Sequence, residues 1–132
     1  MAASRLMRAL EEQGENVRML VLDRKGSKAN VRTVHGMWLR RYFLWERFCI
    51  WAALGFRRDH LFEVDIANCG VDITEHELFD WADVVHLHWI NQGFVSIAEI
   101  GRIAGSGKRV VWTMHDLWAA TAVCHYAREC GL

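Results

Sequence analysis

Apolar residues recur every three to four positions at the front of the chain. In "AASRLMRALEEQG", Ala3, Leu6, Met7 and Leu10 share one stripe, Arg5, Arg8, Glu11 and Glu12 fall outside it, and Gly14 suits a C-cap. That period predicts a helix. "NVRMLVLD" is a short apolar run, the pattern of a parallel strand covered on both faces. "RKGSKANVRTVHG" is polar and contains glycine, and predicts a loop. Residues 38–54 predict a second helix with a broad apolar surface, and 59–73 a loop with room for a short strand. Further on, "ADVVHLHW" reads as a strand, "GFVSIAEIGRIAGSG" as a helix ending at glycines, and "KRVVWTMHD" as another strand. Strand, helix and strand within roughly thirty residues make a βαβ unit with parallel pairing and a right-handed crossover. The fold class is therefore α/β, a Rossmann-like parallel sheet flanked by helices.

Such domains begin with a strand, whereas this chain begins with a helix and stops abruptly after "CHYARECGL". The expectation is one domain over residues 1–132, incomplete at both ends and lacking its first strand.

Composition narrows the partners. The chain is 52% hydrophobic and 24% charged, which suits a packed core and not a disordered segment. Sixteen Lys and Arg balance sixteen Asp and Glu. Without a basic excess, nucleic acid is not an expected partner. The run "MWLRRYFLWERFCIWAALGF" is long enough to cross a bilayer, but Arg40, Arg41, Glu46 and Arg47 inside it argue against spanning. No signal peptide is read at the amino terminus, so a cytoplasmic setting with reduced Cys49, Cys69, Cys124 and Cys130 is expected. The aromatic helix over 38–54 either lies on a membrane surface, with its arginines near anionic lipid, or packs on the sheet. Packing is the favoured reading, because a parallel sheet needs both faces covered.

Candidate chemistry sits where two strands end. Ligands of parallel α/β sheets bind beyond the carboxyl ends of the strands. Both strands end in polar, aromatic-flanked clusters, His86-Leu87-His88-Trp89-Ile90-Asn91 and His115-Asp116-Leu117-Trp118. His86 and His88 point the same way and, with His115 and Asp116, could hold one ion, so a metal-dependent hydrolase stays open. Against it, His86 lies a strand step deeper, where a buried, neutral, hydrogen-bonded imidazole is expected. "GSGK" at 105–108 is not a phosphate loop: Arg102 stands where a glycine is required, and the helix precedes the strand. It reads as a helix C-cap. In "CHYAREC", Cys124, His125 and Cys130 could form half of a structural zinc site; the plainer reading is two buried cysteines beside an exposed histidine.

Taken together, the stretch "ADVVHLHWINQGFVSIAEIGRIAGSGKRVVWTMHDLWAATAVCHYAREC" resembles the N-terminal domain of bacterial family 4 glycosyltransferases of surface-polysaccharide synthesis. The resemblance rests on a strand ending His-Leu-His-Trp before a Gly-Phe helix, a Gly-Lys strand ending Thr-x-His-Asp-x-Trp, and a Cys-His-Tyr segment. It implies the N-terminal half of a GT-B fold, in a retaining enzyme that moves a sugar from a nucleotide-sugar donor to a saccharide or lipid-linked saccharide acceptor. His115 and Asp116 would be the catalytic-side residues, and His88, Asn91 and Trp118 would line the acceptor side. No catalytic metal or other cofactor is implied. The enzyme would be cytoplasmic, with possible peripheral contact at the inner face of the membrane. Three departures stand out: no glycine-rich turn precedes Ala2, Arg109 replaces the family's proline, and no donor-binding domain follows. This chain alone is therefore expected to be inactive. A non-catalytic sugar-binding module is the remaining alternative.

Overall fold

The computed structural model describes residues 2–22, 29–34, 38–121 and 123–125, with only the backbone of Trp38 and Leu39. The chain divides into two compact units, Met1–Gly36 and Met37–Leu132.

In the first unit, helix α1 (Ala2–Glu12) buries Met7 and ends at Gly14, whose φ of +87° suits a residue without a Cβ. Strands β1 (Met19–Val21) and β2 (Val31–Thr33) pair in parallel, Met19 opposite Val31. The strand β2 falls in a stretch expected to be loop. Its Val-Arg-Thr alternation turns Val31 and Thr33 inward and Arg32 outward, and Val34, which follows, is buried. The amide of Met19 donates to the carbonyl of Asn30 (2.9 Å) and that of Val34 to Val21 (3.0 Å), so the ladder continues at both ends. Three alternating residues carry little signal against the polar residues around them.

The second unit contains helix α2 (Trp38–Ala53), a 3-10 turn at Ile73–Glu75, helix α3 (Glu77–Trp81), strand β3 (Val84–His88), helix α4 (Ile97–Gly105), strand β4 (Arg109–Thr113) and the short helix α5 (Trp118–Thr121). Strands β3 and β4 are parallel, with His86 opposite Val111 and His88 opposite Thr113. The expected βαβ unit is present. Its crossover helix starts later than its apolar pattern, because Ser96 caps it: the Ser96 hydroxyl accepts from the Glu99 amide while the Glu99 carboxylate accepts from the Ser96 amide. Ile103 on α4 is fully buried. The Gly-Ser-Gly-Lys stretch ends α4 as expected, with Gly107 at φ +79°. Lys108 then donates to the carbonyls of Asp80 (3.1 Å) and Ala82 (2.7 Å) at the end of α3. Segment 59–73 is mostly turn and extended chain, holding one antiparallel bridge, Val64 with Cys124.

The fold is thus α/β, with short parallel strand pairs flanked by helices. The described strands make two two-stranded sheets, β1–β2 and β3–β4. No helix among the described residues is long and apolar enough to cross a membrane.

Helix α2 packs only part of its apolar surface: Ile50 is buried and Tyr42, Phe43 and Trp51 are half-buried. Leu44, Trp45 (56% exposed) and Phe48 (51% exposed) face outward, whereas Glu46 is fully enclosed and Arg47 nearly so. The reason lies in the loop beside it. Segment 61–67 pairs only in part, through its bridge to Cys124, and burying its remaining backbone groups without partners is costly. Glu46 accepts from the amides of Ala67 (2.6 Å) and Ile66 (3.2 Å), and Arg47 donates to the carbonyls of Leu61 (2.7 Å) and Val64 (3.1 Å). The helix therefore turns these two side chains inward.

Candidate functional site

The parallel register builds the site. Along β3 and β4 the side chains of His86, His88, Val111 and Thr113 stand on one face. Each histidine reaches one pleat further along its neighbour. His86 Nε2 meets Thr113 Oγ1 at 2.7 Å, and His88 Nδ1 meets His115 Nε2 at 3.0 Å. The rings of His86 and His88 lie 4.1 Å apart between centroids. A bond between two imidazole nitrogens needs one donor and one acceptor, so His88 and His115 hold it only while at least one ring is neutral. Desolvation holds His86 below the usual histidine range, with help from His115; desolvation, then His86 and His115, does the same for His88. His86 is hydrogen-bonded as expected, but it is exposed and not buried, because no described element covers that face of β3.

Beyond the strand ends, Asn91, His115, Asp116 and Trp118 line one shallow pocket together with Trp89, Trp112, Thr113, Met114 and Ala119. His88 joins it through His115. The turn between β3 and α4 that carries Asn91 is held from below. Gly93 sits at φ +77°, where a Cβ would meet the backbone of α2 at 2.7 Å (Phe43 N). Asn91 is buried, and no described residue accepts from its Nδ2. Trp89, at φ +34°, is half exposed and stacks on His125 at 5.8 Å.

Asp116 faces inward. Its Oδ1 accepts from the Trp118 amide (3.0 Å) at the start of α5, and its Oδ2 accepts from His125 Nδ1 (2.6 Å). With both oxygens engaged, Asp116 ties the start of α5 to His125 and so orients the pocket wall. His125, read from sequence as a zinc ligand or an exposed residue, is 6% exposed, because Asp116 and Trp89 enclose it. Its Nε2 lies 3.9 Å from Asp65 Oδ2.

Behind the pocket is a charged cluster that sequence reasoning missed. Asp65, fully buried, accepts from the amides of Ala67 (3.2 Å) and Gln92 (2.8 Å), and its carbonyl accepts from Trp118 Nε1 (2.8 Å). Arg47 Nη2 stands 3.6 Å from Glu46 and 3.7 Å from Asp65. Asp65 thereby joins α2, the turn after β3, and α5. Burial, then a hydrogen bond with Asp65 and its charge, push the Glu46 carboxyl up to about 7, against the pull of the Ala67 amide and Arg47. The signal in the sequence is the Glu46-Arg47 pair inside an apolar helix, charges that also argue against membrane spanning.

Among the described residues no group of three or more His, Cys, Asp or Glu is placed to hold a metal ion. Cys124 is half-buried without a disulfide, and Cys130 lies outside the described residues. No protein-family model, no curated protein and no solved structure matches the chain.

Proposed function

We propose that the unit from Met37 onward is the acceptor-side part of a retaining glycosyltransferase, in a Rossmann-like half of a GT-B fold, acting between a nucleotide-sugar donor and a saccharide or lipid-linked saccharide. One observation carries the reading: five residues from the two strand-end clusters, Trp89, Asn91, His115, Asp116 and Trp118, line one pocket at the carboxyl ends of parallel strands. The pocket's chemistry supports it. Trp89, half exposed, and Trp112, partly exposed, offer flat apolar surface for the carbon face of a sugar ring, and His115 at the rim and Asn91 at the floor offer polar groups for hydroxyls, while buried Trp118 backs the wall. His115, exposed at the rim, hydrogen-bonds a sugar hydroxyl or the charge developing as the glycosidic bond breaks. His88 fixes which His115 nitrogen is free to do so. Asp116 holds His125 and the first turn of α5, and so the position of the pocket wall.

Titration of the purified chain with saccharides and nucleotide sugars, read by tryptophan fluorescence, tests the proposal. Saturable quenching that Trp89→Ala and His115→Ala both weaken by about tenfold is the expected result. Absence of saturable binding across neutral, acidic and nucleotide-linked sugars overturns it. One equivalent of tightly held metal, lost in His88→Ala, would favour a metal-dependent hydrolase instead.

A further inference from the structure

Helix α2 turns Glu46 and Arg47 inward while Leu44, Trp45 and Phe48 stay exposed. Trp45 stacks on Phe48 at 5.8 Å, Phe48 meets Trp51 at 6.1 Å, and Trp51 meets Phe56 edge-on at 4.8 Å. The result is a continuous ridge, widened by exposed Leu44. Folding has not buried it, and an apolar surface of this kind marks an interaction site more often than chance exposure. Its ends are basic. Arg40 and Arg41 are exposed one turn before Leu44 and Trp45, and Arg57 and Arg58 are exposed just past the helix. Between Arg40 and Arg58 the only acidic residue is Glu46, which is enclosed. Asp59, next along the chain, is taken by Arg57 at 2.7 Å.

This pattern selects an occupant. Aromatic rings at the level of an interface, with arginines at both ends, complement a surface that is apolar below and anionic above. A second copy of the chain fits poorly, since a two-fold pairing of this ridge brings the arginine pairs of the two copies together.

We propose that the ridge of α2 docks the protein on anionic phospholipid, with Leu44, Trp45, Phe48 and Phe56 at the boundary of headgroups and acyl chains and the flanking arginines on lipid phosphates. The inference is independent of the sugar-site reading, because none of these side chains lines the pocket.

Co-sedimentation of the full chain with phosphatidylcholine vesicles, with and without phosphatidylglycerol, tests it. Binding to the anionic vesicles is expected to exceed binding to the neutral ones by about tenfold and to fall as salt is raised. The double variant Trp45→Ser, Phe48→Ser should lose about tenfold or more. Because both residues are exposed, its circular dichroism should match that of the parent. Arg40→Gln with Arg41→Gln should reduce binding to the anionic vesicles only. No pelleting with anionic vesicles, or pelleting untouched by either variant, overturns the proposal. So does a dimer, seen by analytical ultracentrifugation, that the aromatic double variant abolishes.

Discussion

Two clusters of ionisable residues stand within one unit, and they are built in opposite ways. Glu46, Arg47 and Asp65 are buried and bonded to backbone amides and carbonyls of segment 61–67 and of Gln92, and buried His125 is bonded to the Asp116 carboxylate. His86, His88 and His115 stand on an open strand face and bond chiefly to one another and to Thr113. The first cluster has little choice of geometry, since each partner removed leaves a buried charge behind. The second is free to change its protonation with small structural cost. Burial, and not residue type, separates a cluster that holds the pocket in place from one able to act at its rim.

The sharpest way to break this contrast is at Asp65. Asp65→Ala removes the partner of Arg47 and the acceptor for Gln92, and is expected to cost about 3–5 kcal/mol in a urea unfolding series. His115→Ala in the same assay should cost well under 1 kcal/mol, as surface substitutions usually do. Similar losses for the two would erase the distinction.

Gly93→Ala comes next. It forces a Cβ against the α2 backbone at a positive φ, and a loss of about 1–3 kcal/mol is expected, with weakened ligand binding because the Asn91 turn shifts.

The two clusters also respond to pH with opposite signs. Glu46 titrates near 7, above its ordinary 4.5, so its contribution to stability is full below 4.5 and is lost as pH rises through 7. Glu46→Gln should therefore flatten the fall in thermal stability over that window, an effect on the order of 2 kcal/mol. His86 and His88 titrate below the usual 6.5, so their contribution is present above 6.5 and is lost as pH falls through their folded values. Changing both to asparagine should reduce acid sensitivity below 6.5 while leaving the Glu46 slope intact.

The smallest effect is spectroscopic. Nitrogen NMR of the histidine rings should show one shared proton between His88 Nδ1 and His115 Nε2 at neutral pH, lost in His88→Ala with little change in stability. Two independent rings in the parent would remove the basis for treating them as a pair.

Much of the local framework was legible. The period change from helix to strand marked α1, α4, β3 and β4, and the two histidine clusters marked the strand ends, because side-chain period and strand-end chemistry are properties of neighbouring residues. The boundary of α4 was also present in Ser96 and Glu99, three residues apart, though the apolar run suggested an earlier start. Strand β2 was hidden because three alternating residues carry too little signal against a polar surround. Long-range partners were not legible. Nothing near Asp65 in the chain indicates that it meets Arg47, Gln92 and Trp118, and nothing near His125 that Asp116 and Trp89 enclose it.

The sequence by itself determined the α/β class, the parallel βαβ unit and which residues gather at the ends of its strands, since hydrophobic period and short-range spacing dictate those. Only the tertiary structure decided that α2 turns Glu46 and Arg47 inward and leaves Leu44, Trp45 and Phe48 exposed. Hydrophobicity alone favours the reverse. The backbone groups of Leu61, Val64, Ile66 and Ala67 that Glu46 and Arg47 bond outweigh it, and they come within reach of α2 only once the chain has folded.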